Sequence, residues 1–189
     1  MPYQCDPPGS DWLRQGEILE GLLELRAAPT QGSTKDDLDV VIETAPHPLA
    51  VGVSQDCHLE WDYKARHGLV GSHKLLSHIL FCDLFQHDEI RGRGDLMNSG
   101  IWKRIRQNQD ERHHSFPGVF AENGDVILSP VIMDFKSYFS MPTGMVYMQL
   151  ERNWVVRKGI LPVPHRYAAS HRLMGFLGRV ALPVEEQEA

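Results

Sequence analysis

The sequence predicts a single α+β domain: a small antiparallel barrel or strongly bent sheet, a helical insertion and a C-terminal helix. Three observations lead there. Over Pro48 to Val53, Leu49, Val51 and Val53 alternate with small residues, the mark of a strand with one apolar face. Two further β-prone runs, Ile18 to Leu25 and Leu38 to Thr44, precede it and are separated by turn-rich chain. Apolar residues at helical spacing then recur at Ile101, Trp102 and Ile105 and again within Arg166 to Leu177.

Taken in order, Met1 to Ser10 holds three prolines and a glycine and reads as a loosely held arm. The folded domain is expected over 11–183, with 184–189 as an acidic tail. Ile18 to Leu25 fits a strand or an amphipathic helix. Strand is favoured, because Gly16 and Gly21 each weaken a helix by about 1 kcal/mol relative to Ala. Ala27 to Asp37 reads as an exposed loop, and Ala45-Pro46-His47-Pro48 as a turn into the central strand. Trp61 to Leu75 shows no clean period and reads as a loop with a short helix near Tyr63. Leu76 to Phe85 is a buried strand in which Cys82 packs as a small hydrophobe. Arg91 to Gly94 is a basic turn, Ser99 to Asp110 a helix, and Asp125 to Phe139 two apolar runs broken at Ser129-Pro130. Met145 to Leu150 reads as another strand after a turn at Pro142 and Gly144. The last helix points Leu173, Phe176 and Leu177 to the core and ends at Gly178.

Composition narrows the classes. A chain of 189 residues is long enough to bury a core without staples. No apolar run approaches the roughly 20 residues of a membrane span. The start MPYQCDPPGSDW lacks the basic and apolar parts of a secretory signal, so a cytoplasmic location is expected. Three scattered cysteines argue for reduced thiols, and no metal or cofactor is expected. The net charge of −6 gives no global attraction to nucleic acid. Bases nevertheless collect at Lys103 to His114 and His165 to Arg179, and such a face acts locally within about 8–10 Å at physiological salt.

Chemistry-bearing residues fall in two stretches. The central strand ends in Ser54, Gln55, Asp56, Cys57, His58 and Glu60, a way of presenting polar groups on a rigid scaffold. In the plainer alternative, Ser54 and Asp56 cap a turn or helix and Cys57 is buried. The second stretch is Arg112, His113 and His114. In RNA cleavage Arg would hold the phosphate charge and His113 or His114 would move protons, while Ser54, Gln55, Asp56 and His58 position substrate. In acyl transfer Cys57 would be the nucleophile and one of these histidines its base. Against both stands a plain basic surface at His113-His114. Asp134 and Lys136, two apart on a strand, read as a structural ion pair.

The segments QGEIL, SQDCHLE, IWKRIRQNQDERHHSFP, DFKSYF and HRLMGFLGRVALP resemble a group of uncharacterised bacterial proteins, over Gln15 to Pro183. More distantly, the Gly-Glu-Ile-Leu strand and the apolar strand ending in Ser54 are similar to the PemK/MazF toxin family. That resemblance implies an SH3-like barrel, a homodimer, an antitoxin or other partner protein, and metal-independent RNA cleavage by Arg with Ser or Thr. Only Ser54 carries over by position. Pro48-Leu49 stands where the family has Arg-Pro, and Cys57-His58 and the long C-terminal half are additions. The expectation is a toxin-like or defence-associated, RNA-directed protein. The alternatives are a non-catalytic module binding a protein or nucleotide, and a Cys57-dependent enzyme.

Overall fold

The computed structural model describes residues 11–32, 34, 36, 37, 39–93, 98–120 and 126–179. The N-terminal arm, the acidic tail and Cys5 lie outside them. In chain order the elements are β1 (Glu17–Pro29), β2 (Val40–Gly52), α1 (Asp56–Arg66), β3 (His78–Gln86), α2 (His87–Arg91) and α3 (Ser99–Arg106). There follow β4 (His113–Phe116), β5 (Val119–Phe120), β6 (Val126–Leu128), β7 (Val131–Pro142), α4 (Thr143–Glu151), β8 (Val156–Ile160) and α5 (Val163–Leu177). Six strands form one antiparallel sheet in the order β4-β7-β3-β2-β1-β8, and β5 pairs with β6.

The alternation around Val51 does what its pattern requires. Val51 pairs with Ile18 on β1 and Cys82 on β3, and its side chain enters a core with Met133, Phe135 and, from α5, Ala169 and Leu173. On the other face, Leu19, Leu22, Ala50 and Phe81 pack with Leu59 of α1 and Val146 of α4. A third cluster joins Ile90, Ile105 and Ile132 beneath α2 and α3. Helices thus cover both faces of the central strands.

The sheet is bent but open. Closing a barrel requires the outer strands to pair, and here β4 and β8 are the two edges of the sheet. Where β3 meets β7, the register shifts between Cys82 and Leu84, setting Cys82 against Tyr138 but Leu84 against Met133. Such a bulge increases local bend. The concave core is then covered by α5.

Several local expectations are corrected, among them the loop expected from Ala27, where β1 continues to Pro29. Ala45 to Pro48 is no turn; β2 runs through it, with Pro46 and His47 paired to Leu23 and Leu22. Proline is tolerated because β3 joins β2 only at Ala50–Gly52, leaving that edge without ladder bonds to lose. The short helix expected near Tyr63 is present but is the end of a longer one, α1, which starts at Asp56 and runs to Arg66, supported by Glu60–Lys64 and Asp62–Arg66 pairs at i,i+4. Met145 to Leu150 is helix rather than strand. Its Met, Gln, Leu and Glu, none branched at Cβ, are good helix formers, and Val146 and Gln149, three apart, are both buried. In α5, Leu173 is buried and Phe176 partly so, whereas Leu177 is exposed.

Candidate functional site

The stretch after the central strand is used for architecture. Ser54 Oγ accepts from the Leu80 backbone N–H at 2.9 Å, tying the end of β2 to β3. Asp56 opens α1, and its carboxylate takes both Nε and Nη2 of Arg14 at 3.0 Å and the Gln15 N–H at 2.7 Å. Arg166 of α5 adds a contact at 3.2 Å. Burial pushes the Asp56 carboxyl up, but these donors outweigh it and hold the group below its usual range. Neither Ser54 nor Asp56 is the helix cap; that position is Gln55, whose side chain makes no capping bond. Cys57 and His58 are exposed on the first turn. Among the described residues no imidazole is hydrogen-bonded to Cys57.

Arg112, His113 and His114 are held just as firmly. Arg112 forks onto Asp134 at 2.7 and 2.6 Å, and Arg93 lies 3.6 Å from the same fully buried carboxylate. The expected Asp134–Lys136 pair is replaced by this one; Lys136 contributes its backbone N–H. His113 stands opposite Asp134 on the β4–β7 ladder, and its Nδ1 is 2.7 Å from Asp110. Its Nε2 is buried with no hydrogen-bond partner. His114 faces the other way, where its Nδ1 accepts from Arg172 of α5 at 2.8 Å. Burial, then the charge of Arg172, takes its pKa down to about 4, so the ring is neutral at pH 7. Asn108, at φ 56°, clamps the edge strand: its side-chain amide bonds both the N–H and the C=O of Ser115.

The two stretches therefore build two clusters. Asp56, Arg14, Gln15 and Arg166 form one; Asp110, His113, His114 and Arg172 form the other. They share no residue, and both lean on α5, where six positions separate Arg166 from Arg172, about 9 Å along the axis. His114 has a measurable signature. A ring held neutral favours the folded state only while the unfolded ring, with pKa near 6.5, is also neutral. Stability is expected to fall by about 3 kcal/mol on account of His114 as the pH drops from 6.5 to 4, and urea titrations of His114→Phe should show a smaller limb, the remainder coming from His87, which burial also holds below its ordinary value.

Two concave regions were not foreseen. A cleft of about 900 Å³ lies between α1, α4 and β8, walled by Tyr63, His67 and Tyr147 with Arg66 and Arg157. Its cations are engaged: Arg66 bonds Asp62, and Arg157 bonds Glu17. The misread α4 hid this cleft, though the helix-forming run Met145 to Glu151 was a signal for it. The other is a pocket of about 380 Å³ beside α2 and α3, lined by Arg91, Ser99, Trp102, Lys103, Arg106 and Gln107. Arg91 lies over the Trp102 ring at 6.0 Å, and His87 meets that ring edge-on at 5.3 Å. Among the described residues no carboxylate pairs with Arg91, Lys103 or Arg106. The apolar stripe with neighbouring bases was visible in the sequence; the arrival of Arg91 from α2 was not.

Among the described residues no group of three or more His, Cys, Asp or Glu is placed to hold a metal. No described helix is long and apolar enough to cross a membrane. Comparison with known proteins finds no family model, curated protein or solved structure that matches the chain.

Proposed function

We propose that the protein is an RNA-binding module that takes single-stranded RNA through the pocket beside α2 and α3, and that binding rather than cleavage is its primary activity. The observation that carries this reading is an indole with three cations around it, none paired with a carboxylate among the described residues. Aromatic faces stack bases with little regard to sequence, and Arg and Lys track the phosphates between them. Lys103, Arg104 and Arg106 are exposed on α3, whose opposite side anchors Ile105 in the core. A local basic face of this kind acts within the Debye length of the solution, about 8 Å at physiological salt, despite the net charge of −6. The bent sheet is consistent with an opened SH3-like barrel, and a toxin-like or defence role fits an RNA-directed module.

Fluorescence anisotropy with a labelled single-stranded RNA tests the reading. Trp102→Ala is expected to weaken binding about tenfold, in line with the 1–3 kcal/mol worth of a stacked base. Lys103→Glu with Arg106→Glu should lower affinity further and flatten log K against log salt by about 1.4, two phosphates at roughly 0.7 each. Wild-type protein that leaves RNA unbound at low salt defeats the proposal.

One observation favours an enzyme as second reading: the Asp110–His113 pair, in which the carboxylate orients the ring and Nε2 has no hydrogen-bond partner, although that nitrogen is buried and the edge strand β4 must open for it to meet a substrate. In that case wild type cuts RNA in EDTA, and His113→Ala slows cutting by about 10²–10⁴-fold. His114, neutral and donated to by Arg172, has no part in it. Arg112, committed to Asp134, would have to leave a buried carboxylate to reach a phosphate.

A further inference from the structure

The distal halves of β1 and β2 leave the sheet as a two-stranded ribbon. Beyond Glu20, β1 has no ladder to β8; before Ala50, β2 has none to β3. At the ribbon's root the side chain of Gln149, on α4, bonds both the N–H and the C=O of Leu23. An amide and a peptide group do not titrate, so this pivot is the same at every pH. Just before it in β1 comes Gly21, at φ +87°, with the Trp154 carbonyl 3.2 Å from where a Cβ would sit.

Beside the pivot, His47 of β2 joins three strands. Its side chain is 7% exposed and stands between two carboxylates, Asp83 of β3 at 2.8 Å from Nδ1 and Glu24 of β1 at 3.3 Å from Nε2. The Phe139 ring of β7 lies flat on the imidazole at 3.5 Å, a face that suits a cation. Arg26, hydrogen-bonded to Glu24, and Glu43, opposite Arg26 on β2, are the other charges on this side of the ribbon. An ionised carboxylate only accepts, so a ring nitrogen that bonds one must carry its proton. Here both nitrogens face one, and only the imidazolium has two N–H groups. A neutral ring keeps one bond and turns a lone pair on the other carboxylate. Asp83 is the nearer acceptor, and Glu24 already holds the Arg26 guanidinium at 2.9 and 2.6 Å, so Glu24 is the partner released.

We propose that His47 is a proton-operated latch: charged, it fastens the ribbon to the body through Asp83 and Glu24, and on losing its proton it frees Glu24 and lets the ribbon move about the Gln149 pivot. Burial pushes the imidazole toward its neutral form, but the two carboxylates outweigh it and leave its pKa above the ordinary value. A group raised in this way adds its stability fully below the unfolded value, near 6.5, and loses it as the pH rises through the folded one. The latch is closed below about pH 6.5 and opens above it. The inference is independent of RNA binding, since Trp102 and Arg106 lie on α3.

Amide hydrogen exchange on the full chain, with each rate divided by the intrinsic rate at that pH, tests it. From about pH 6 to about pH 9 the protection of the ribbon amides is expected to fall about tenfold, the worth of one charge-assisted hydrogen bond. Backbone order parameters over Arg26 to Ala28 and Val41 to Glu43 should drop in step, those of β3 and β7 staying as they are. His47→Gln, which bonds one carboxylate and takes up no proton, should show the low protection throughout. Asp83→Asn changes a partly exposed side chain, keeps the ring and lowers its pKa, so the fall should move to lower pH together with the His47 ring signal in proton NMR. Ribbon protection in wild type that does not change over this range overturns the proposal, and so does a fall that persists in His47→Gln.

Discussion

Asp134→Ala is expected to lower the free energy of unfolding by about 3–5 kcal/mol, read from urea denaturation at pH 7. The carboxylate is fully buried and stands where β7 leaves its register with β3. It receives the Arg112 fork, the Lys136 backbone N–H and the charge of Arg93. Removing it strands Arg112 beside the core and frees the strand that carries Met133 and Phe135. A buried ion pair is weak evidence of net stabilisation, but losing one partner leaves an uncompensated charge. The pH dependence follows from the same contacts. Burial pushes the carboxyl up, and the Arg112 and Lys136 donors outweigh it, so its folded-state value lies below the ordinary one. Its contribution is therefore complete above the unfolded value near 3.9 and is lost as the pH falls through the lower folded value. That limb lies below the one due to His114, so wild type should lose stability in two steps on acidification. Asp134→Asn, which keeps the shape and one acceptor, should lose less than alanine and show a smaller lower step, the remainder belonging to Asp56 and Asp110, which are also held below their usual range.

How much of this was legible in the chain depends on the range of each interaction. The strand at Leu49 to Val53 could be read because alternation is local, and the structure buries Val51 and Val53 as that pattern requires. The stripe of α3 and the inward Leu173 of α5 were legible for the same reason. Met145 to Leu150 misled because six apolar-rich residues fit either period, and the deciding fact is tertiary: Val146 and Gln149 face a sheet formed by strands far away in sequence. The site residues show the opposite failure. Asp56, Arg112 and the two histidines were singled out by type, and type does not distinguish a reacting group from one satisfied by a distant partner. Arg14 lies 42 residues before Asp56, and Arg172 lies 58 after His114. Such pairings leave no mark in a single sequence, and neither does the absence, among the described residues, of a carboxylate partner for Lys103 and Arg106; only the stripe of Ile101, Trp102 and Ile105 beside those bases was local enough to read.

Val51→Asp is expected to have the larger effect, above about 4 kcal/mol and enough to leave much of the protein unfolded at pH 7. Val51 is 1% exposed, with Ile18 and Cys82 as its cross-strand neighbours. The Cys82 thiol is already spoken for by the Asp134 carbonyl at 3.1 Å. Burial holds that thiol far above its ordinary pKa, as it would any acid placed beside it. A carboxylate introduced there meets no water and no cation among the residues of its core cluster, so it must either unfold the centre of the sheet or take up a proton. Val51→Ala separates charge from volume: it loses only the buried methyl groups and the space they leave, about 2 kcal/mol. The acid behaviour separates them again. A carboxyl whose folded-state pKa is raised penalises the fold fully above that value and ceases to do so below the unfolded value. Val51→Asp should therefore recover toward Val51→Ala as the pH is lowered toward 4, against the wild-type trend. An aspartate variant as stable as wild type at pH 7 would mean that Val51 does not sit in the core around which both faces of the sheet are built.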